Sequence, residues 1–330
     1  MSRLRMGLIG SRGHVHYVIA ALPSLPEIEV TAVSPGCGDS PDRLLQMARG
    51  CGFEPRCYAD YLELLDREKP DLVSVDGPFE LHAAMCVEAL KRGIHVFCEK
   101  PVALTFEDLE RVERAYRAAP AGTKLISMVG LRAEPPFRAA HAAVAAGRVG
   151  RVLMVNTRKS YKLGSRPEFY RHRATYGGTI PWVGSHALDW IQWFGGAGFR
   201  TLDAIESREE NRGHGELEMT ALCTCVLENG VMGSASIDYL RPSGAPTHGD
   251  DQVRVAGTLG VVEVAHGRVT LIDADGEKEL EAPPAPNIFG DFAASLLNGT
   301  ACIADAASTF ELTRACLAAR ESADRKLGLL

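Results

Sequence analysis

The chain has 330 residues, of which 46% are hydrophobic, 24% charged and 7% aromatic, and its 36 Lys and Arg against 42 Asp and Glu give a net charge of −6. This composition is typical of a globular chain of about two domains and excludes disorder, collagen and coiled coil. No run of basic residues is present, which excludes the phosphate-neutralising surface that nucleic-acid binding needs.

The first 22 residues contain an apolar stretch, but Arg12, His14 and His16 interrupt it before it reaches the length of a signal peptide. We therefore expect a cytoplasmic protein. The nearly uncharged segment 174–199 contains an aspartate, a histidine and several glycines, which predict a buried helix or an active-site wall instead of a membrane span. The nine cysteines form no C-x-x-C pair, so we predict neither a disulfide framework nor a metal site.

In the first 128 residues, apolar runs typical of strands alternate with amphipathic helical patterns, which predicts a parallel sheet. The predicted strands are 4–9, 28–33, 71–75, 95–98 and 124–128. The predicted helices follow the glycine turn at residues 10–13, the Ser40-Pro41 pair, the strand at 71–75 and the capping box of Thr105 and Asp108. Residues 1–128 are therefore predicted to form a doubly wound Rossmann domain, in the α/β class.

The pattern changes after about residue 131, where strands begin to follow one another in series. The predicted strands are 151–160, 201–207, 217–228, 230–239, 252–256, 261–265 and 268–273, and the predicted helices are 137–146, 288–297 and 309–327. Serial strands joined by turns predict a large, mostly antiparallel sheet. Residues 129–330 are therefore predicted to form an α+β substrate-binding domain.

A turn of sequence Gly10-Ser11-Arg12-Gly13-His14 joins the first predicted strand to the first helix. Backbone N–H groups at such a turn favour a pyrophosphate, although the glycine spacing departs from G-x-G-x-x-G and a plain strand-to-helix turn remains an alternative. Ser34 ends the second strand, where a carboxylate for the adenosine ribose is expected. Ser34 and Arg12 are both candidate donors to a 2′-phosphate, so NAD and NADP stay open.

Several segments, in order over nearly the whole chain, resemble the Gfo/Idh/MocA family, named after glucose-fructose oxidoreductase and inositol dehydrogenase. Among them are residues 71–82, which carry a P-x-x-x-H match at Pro78 and His82, the Glu99-Lys100-Pro101 motif, and residues 184–189 around His186. The resemblance implies a Rossmann domain joined to an open-faced α+β domain, with NAD(P) as cofactor. It also implies oxidation or reduction of a sugar, cyclitol or related polyol, and a homo-oligomer.

The resemblance assigns Lys100 and His186 to catalysis, and physical reasons support both roles. Pro101 keeps Lys100 extended at the carboxyl edge of the sheet, where its ammonium can stabilise a developing alkoxide. His186 has an intrinsic pKa suited to proton transfer, although a buried core histidine is the alternative. Glu99 is predicted on the cofactor side, either in contact with the cofactor or holding local structure.

Trp182 stands where the family usually has an aspartate that shares the proton transfer, which leaves Lys100 and His186 alone. Asp189 either orients His186 or has a structural role. The polar stretch that begins at Tyr161 and includes Arg173 predicts a basic lid over an anionic substrate, with a solvated charge run as the alternative. We therefore assign Tyr161, Arg173 and Trp182, together with Lys100 and His186, to substrate binding.

These observations predict an NAD(P)-dependent oxidoreductase that moves hydride between nicotinamide and a secondary hydroxyl or ketone. Two alternatives remain. The first is a redox-neutral lyase or hydrolase that oxidises its substrate transiently with tightly bound NAD(H). The second is a non-catalytic binding protein on the same scaffold.

Overall fold

The structure is a computed structural model that describes residues 3–328. The chain divides into two compact units. The first holds the described residues up to Gly130 together with Pro286–Phe310, and the second holds Leu131–Ala285 and the described residues from Glu311 onward. This division falls two residues beyond the predicted end of the Rossmann domain at residue 128. It differs from the predicted continuous range 129–330, because Pro286–Phe310 groups with the first unit.

A six-stranded parallel sheet forms the centre of the first unit, in the order β3-β2-β1-β4-β5-β6. Its strands are β1 Leu4–Ile9, β2 Ile28–Ser34, β3 Arg56–Cys57, β4 Leu72–Val75, β5 His95–Cys98 and β6 Leu125–Ser127. Its connecting helices are α1 His16–Ala21, α2 Asp42–Gly50, α3 Tyr61–Glu68, α4 His82–Lys91 and α5 Phe106–Ala118. The strand order reverses at β1, which lies between β2 and β4, and ligands bind at the carboxyl ends of strands at such a point. The predicted doubly wound fold is confirmed.

Helix α9, Ile288–Leu297, packs on the sheet of the first unit. The ring of Phe97 in β5 lies 5.2 Å from that of Phe289 and 5.7 Å from that of Phe292. Lys124 Nζ donates to the backbone oxygen of Ser295 at 2.8 Å. Burial of these aromatic rings is the physical reason why this late segment belongs to the first unit.

An eight-stranded sheet forms the second unit, in the order β14-β13-β12-β11-β7-β10-β9-β8. Its strands are β7 Val152–Tyr161, β8 Phe199–Ser207, β9 Thr220–Leu227, β10 Met232–Asp238, β11 Gly249–Gly257, β12 Gly260–Ala265, β13 Arg268–Asp273 and β14 Gly276–Leu280. Neighbouring strands are antiparallel except the parallel pair β7 and β10. The remaining helices are α6 Pro135–Ala145, α7 Arg173–Tyr176, α8 Ser185–Gly195 and α10 Ala306–Leu327. The predicted mostly antiparallel sheet is confirmed.

The two faces of this sheet differ in what covers them. Helix α8 packs on one face, where Thr157 Oγ1 of β7 donates to the backbone oxygen of Ala187 at 3.3 Å. Ile205, Leu222 and Met232 lie on β8, β9 and β10 and are each about half exposed. The alternation of buried and exposed residues along these strands places the three side chains on the opposite, open face.

Within the described residues, no helix is long and apolar enough to cross a membrane. The segment 174–199 contains the buried helix α8, as predicted. All nine cysteines are free thiols. No group of three or more His, Cys, Asp or Glu side chains among residues 3–328 could hold a metal ion.

Candidate active site

The glycine turn between β1 and α1 packs directly against the loop that follows β4. Gly10 has a φ of +82°, and a Cβ at this position would lie 2.3 Å from the backbone of Gly77. Both the left-handed backbone and the close approach therefore require glycine at Gly10. Helix α1 begins only at His16, later than predicted, so residues 10–15 form an extended turn.

Alternate backbone amides of this turn are bonded within the protein: Gly10 to the oxygen of Ser34, Arg12 to the oxygen of Asp76, and His14 to the carboxylate of Glu99. The amides of Ser11 and Gly13, which lie between them, make no hydrogen bond within the described part of the chain. Two unused donors on a partly exposed turn at the carboxyl edge of a parallel sheet fit the pyrophosphate of a dinucleotide.

The Glu99 carboxylate holds this turn in place through its contacts with His14. Its side chain is fully buried, and Oε2 lies 2.6 Å from His14 Nδ1 while Oε1 accepts the amide of Lys100 at 2.8 Å. A Cβ on Gly13 would lie 2.0 Å from Glu99 Oε2. Burial alone would raise the pKa of Glu99, but the facing His14 lowers that pKa to about 2. Glu99 was predicted on the cofactor side, and the structure places it as the anchor of the turn.

Asp76, directly after β4, is a buried carboxyl group that the sequence analysis missed. Its side chain accepts from Ser74 Oγ at 2.6 Å. Burial raises the pKa of Asp76 well above its ordinary value, and the nearby Glu99 carboxylate raises it further. The available signal was an acidic residue at the carboxyl end of a strong strand, next to the predicted ligand edge.

His82 and Pro78 lie in the segment that follows β4. The buried ring of His82 has Nδ1 2.9 Å from the oxygen of Pro101 and Nε2 3.0 Å from the oxygen of Gly77. His82 therefore links the loop after β4 to the loop after β5. Pro78 has extended backbone just before the first turn toward α4, and its Cδ lies 3.4 Å from an ideal Cβ on Gly36. Both residues position loops around the glycine turn.

Lys100 follows β5 at the carboxyl edge of the sheet, and only 2% of it is exposed. The Lys100–Pro101 peptide bond is cis. Because its amide is held by Glu99, the backbone of Lys100 is tied to the same carboxylate that anchors the glycine turn. The predicted cofactor residues of the first unit therefore converge on one edge, and Ser34 joins them through its backbone oxygen.

In the second unit, Trp182 and His186 lie on consecutive helical segments. Trp182 is part of a π-helical turn, Ile180–Gly184, and His186 belongs to the first turn of α8. Both side chains are buried. Ser185 Oγ donates to the backbone oxygen of Trp182 at 3.0 Å, and the Trp182 ring lies 6.0 Å from that of Tyr170. The bulky indole thus forms an apolar wall one turn before the histidine.

Asp189 pairs with Arg132. The guanidinium donates to both carboxylate oxygens at 2.7 and 2.6 Å, and both side chains are buried. Burial raises the pKa of Asp189, while Arg132 opposes the shift. Of the two alternatives for Asp189, the structural role is therefore the one observed.

Arg173, expected in a substrate lid, binds three carboxylates of its own unit. Its guanidinium donates to Glu218 Oε1 at 2.6 Å and also pairs with Glu206 and Asp324. Burial would lower the pKa of Arg173, but the three carboxylates raise it overall. The guanidinium of Arg173 is therefore engaged within its own unit, and its place in a substrate lid stays a prediction.

Tyr161 ends β7 and contacts a buried lysine. Lys159 Nζ lies 4.3 Å above the Tyr161 ring and pairs with Asp251. The ring of His248 lies 4.8 Å from that of Tyr161. Burial lowers the pKa of Lys159. Lys159 was not singled out from the sequence, since nothing distinguishes one lysine on a strand from its neighbours.

Unused amides in a glycine turn at the switch point of a 3-2-1-4-5-6 sheet define a dinucleotide-binding protein of the Rossmann class. A family model described as "Oxidoreductase family, NAD-binding Rossmann fold" matches residues 4–124, and a model of the "GFO/IDH/MocA C-terminal domain" matches residues 137–263. The chain belongs to the GFO/IDH/MocA family of oxidoreductases, with an NAD-binding Rossmann domain.

Named relatives of this chain include sugar and polyol dehydrogenases. D-apiose dehydrogenase of Paraburkholderia graminis is 26% identical over 293 residues, which are 87% of this chain and 74% of that protein. Inositol 2-dehydrogenase of Salmonella typhimurium is 27% identical over 160 residues, so this chain matches 45% of that protein's length.

Solved structures share the fold over nearly the whole chain. A Thermotoga maritima protein provisionally assigned as an oxidoreductase is 44% identical, with 98% of each chain covered and a TM-score of 0.94. A levoglucosan dehydrogenase in complex with NADH and levoglucosan is 18% identical, with 98% of each chain covered and a TM-score of 0.82, and shows the fold alone.

Proposed function

We propose that this chain is an NAD-dependent dehydrogenase of a sugar, cyclitol or related polyol, with Lys100 and His186 acting on a secondary hydroxyl. The observation that best supports the proposal is the position of Lys100 in the first unit. It is a nearly buried lysine at the carboxyl edge of the sheet, and the carboxylate that anchors the glycine turn also holds its amide.

Bound NAD supplies the acceptor for hydride from the carbinol carbon, and NADH its donor in the reverse direction. His186 takes the hydroxyl proton during oxidation and returns it during reduction. The Lys100 ammonium stabilises the negative charge that develops on the same oxygen. Trp182 adds no ionisable group, so proton transfer is left to His186.

For the cofactor, we propose that the amides of Ser11 and Gly13 bind the pyrophosphate, while Glu99 and His82 hold the surrounding loops in place. Tyr161 is proposed to contact the substrate. For Arg173 we propose a positioning role, because three carboxylates already occupy its guanidinium.

The roles of Lys100 and His186 are tested by Lys100→Ala and His186→Ala, with Lys91→Ala and His172→Ala as controls at exposed positions. We expect both test variants to bind NADH normally by fluorescence titration. Lys100→Ala should lower kcat by about 100- to 1,000-fold, the usual effect of losing one stabilising donor. His186→Ala should remove one limb of the pH profile of kcat. Full activity of either variant would refute its assignment.

The reaction type is tested by following absorbance at 340 nm while sugars, cyclitols and polyols are supplied with NAD. A dehydrogenase accumulates one NADH for each product molecule. Product that forms without NADH would overturn the proposal in favour of the redox-neutral alternative.

We further propose that the chain is a homo-oligomer whose contact uses the open face of the second unit's sheet. Three half-exposed apolar side chains, Ile205, Leu222 and Met232, lie on adjacent strands of that face. Half-exposed apolar side chains on the open face of a sheet are candidates for an association surface.

A further inference from the structure

One edge of the second unit's sheet gathers tyrosine rings around an arginine. Strands β7 and β10 are parallel neighbours, so the residues that follow them lie at the same edge. The Tyr161 ring at the end of β7 lies 6.5 Å from the ring of Tyr239, which directly follows β10. The guanidinium carbon of Arg166 lies 4.8 Å from the centre of the Tyr239 ring and 5.4 Å from that of Tyr170. We call these four residues the arginine–tyrosine cluster.

Two polar atoms of this cluster have no hydrogen-bond partner. Arg166 Nε and Tyr239 Oη are buried, and neither makes a hydrogen bond within residues 3–328. Burial raises the pKa of Tyr239 well above its ordinary value, so the hydroxyl stays protonated and can donate. An unpartnered buried donor is costly, and a ligand that accepts from it removes that cost. Arg166 as a whole is partly exposed, which leaves its side chain open to such a ligand.

Arg166 and the nearby Lys162 carry positive charge that no carboxylate neutralises. An Nη of Arg166 donates to the backbone oxygen of Lys162 at 3.0 Å, and Lys162 Nζ donates to the backbone oxygen of Ala245. Neither side chain forms an ion pair within the described part of the chain. His248 lies beside these cations: burial lowers its pKa, and the positive charges of Arg166 and Lys162 lower it further.

The carboxylates nearest to this edge already have partners. Two of them lie on β11, which pairs with the end of β7. Asp250 forms ion pairs with Arg158 and Arg241, and Asp251 forms one with Lys159. The charges of Arg166 and Lys162 are therefore available to an anion from outside the protein.

The cluster adjoins the segment that carries the proposed general base, within the same unit. The Tyr170 ring lies 6.0 Å from that of Trp182, and Trp182 lies one helical turn before His186. A guanidinium presents its donors in a fork that matches the oxygens of a carboxylate or a phosphate. The tyrosine rings add apolar surface for the carbon atoms of a ligand.

We propose that the substrate is a polyol that bears an anionic group, a carboxylate or a phosphate, and that Arg166 and Lys162 bind this group. Tyr239 donates a further hydrogen bond to it. The inference rests on the proposed dehydrogenase function for the reaction itself, and it adds the charge of the substrate.

The test compares polyols in pairs that differ in charge: gluconate with sorbitol, glucuronate with glucose, and glucose 6-phosphate with glucose. We measure kcat/KM with NAD, and binding to the NADH-saturated chain by isothermal titration calorimetry, which needs no turnover. We expect the charged member of at least one pair to be preferred by about 10-fold or more, and added KCl to reduce this preference. The carboxylate and phosphate pairs distinguish the two kinds of anion.

Three variants assign the preference to one side chain. Arg166→Gln should raise KM and Kd for the charged member about 10- to 100-fold, while kcat, NADH affinity and the neutral member are unaffected. Arg166→Lys keeps a positive charge and should retain part of the preference. Arg171→Gln, at an exposed arginine of the same segment, is the matched control and should behave like the wild type.

No preference for the charged member in any pair, or an equal loss on both members in Arg166→Gln, would overturn the inference and leave the dehydrogenase standing. Charged members that bind through Arg166 and are converted without NADH would leave this anion site standing and overturn the proposed function.

Discussion

Two acidic side chains, Asp76 and Glu99, end neighbouring strands of the first unit's sheet and carry opposite pKa shifts. Burial raises the pKa of Asp76, whereas His14 lowers that of Glu99 to about 2. Two buried carboxyl groups in proximity favour one charged and one neutral member. The charged member is the one that faces the glycine turn, so the turn is held by a strong, charge-assisted hydrogen bond.

Replacing Glu99 with glutamine tests this charge. A carboxyl group whose folded-state pKa is about 2, below the ordinary 4.5, stabilises the folded state above pH 4.5. That stabilisation is lost as the pH falls toward 2 and amounts to about 3 kcal/mol. We expect Glu99→Gln to be less stable than wild type in urea at pH 7, with a smaller difference at pH 3. Glu107→Gln on the exposed side of α5 is the control. A difference that stays constant with pH would contradict the assigned charge.

The buried pair of Arg132 and Asp189 gives a second prediction. Arg132→Met leaves the Asp189 carboxylate buried without its cation, which should cost about 3–5 kcal/mol of unfolding free energy. Arg132→Met/Asp189→Leu removes both charges and should recover most of that loss. Urea unfolding of the wild type, both single variants and the double variant forms a double-mutant cycle. Additive effects would show that the two side chains are not coupled.

At the scale of secondary-structure elements, Glu218 holds the segment before α8 through a set of hydrogen bonds, here called the Glu218 clamp. Its Oε2 accepts the amide of Thr179 at 2.9 Å, its backbone oxygen accepts Thr179 Oγ1 at 2.7 Å, and its Oε1 binds Arg173. The π-helical turn and then His186 follow Thr179 directly. The direction in which α8 begins therefore depends on this clamp.

Glu218→Ala should release the clamp and displace His186 without affecting the first unit. Small displacements of His186, the proposed general base, should lower the rate strongly, so we expect kcat to fall about 10- to 100-fold. NADH affinity should be unchanged, and Glu218→Gln, which keeps an acceptor for Thr179, should retain intermediate activity. The exposed Glu209→Ala is the control. Equal losses of kcat and NADH affinity would indicate general destabilisation instead of positioning.

Elements with a strong hydrophobic periodicity and clear boundary residues were predictable from the sequence. Leu4–Ile9, His95–Cys98, Arg268–Asp273 and Ile288–Leu297 have their predicted bounds, and Thr105 caps α5 as expected, with the amide of Asp108 donating to its Oγ1 at 3.1 Å. Helix α3 was missed although Asp60 caps its first turn, whereas the missed strands carry weak signals. Strand β3 has two residues, both exposed, and β14 is a charged edge strand.

The proposed roles of Lys100 and His186 come from local motifs and stay predictions. The contact between Arg12 and Asp39 depends on a loop that folds back, and no periodicity in the sequence reports it. For the same reason the sequence did not reveal that Arg173 pairs with three carboxylates from distant segments.

At the scale of the whole molecule, one face of the second unit's sheet carries half-exposed apolar side chains. Ile205 and Leu222 are register neighbours on β8 and β9, whereas Met232 on β10 is the register partner of Val226, four residues along β9 from Leu222. About half of each side chain is exposed. Adjacent apolar side chains on an uncovered sheet are energetically unfavourable in water, and association of two such faces removes them from it.

Light scattering coupled to size exclusion should therefore give a mass of at least twice the 35.6 kDa chain. Leu222→Lys puts a charge beside Ile205 on this face, and burying that charge without a partner is costly, so this variant should shift toward the monomer. Leu259→Lys, at a more exposed leucine in the turn between β11 and β12, is the control and should keep the wild-type mass. A monomeric wild type would contradict the proposed oligomer, and an oligomer that Leu222→Lys leaves intact would assign its contact to a different surface.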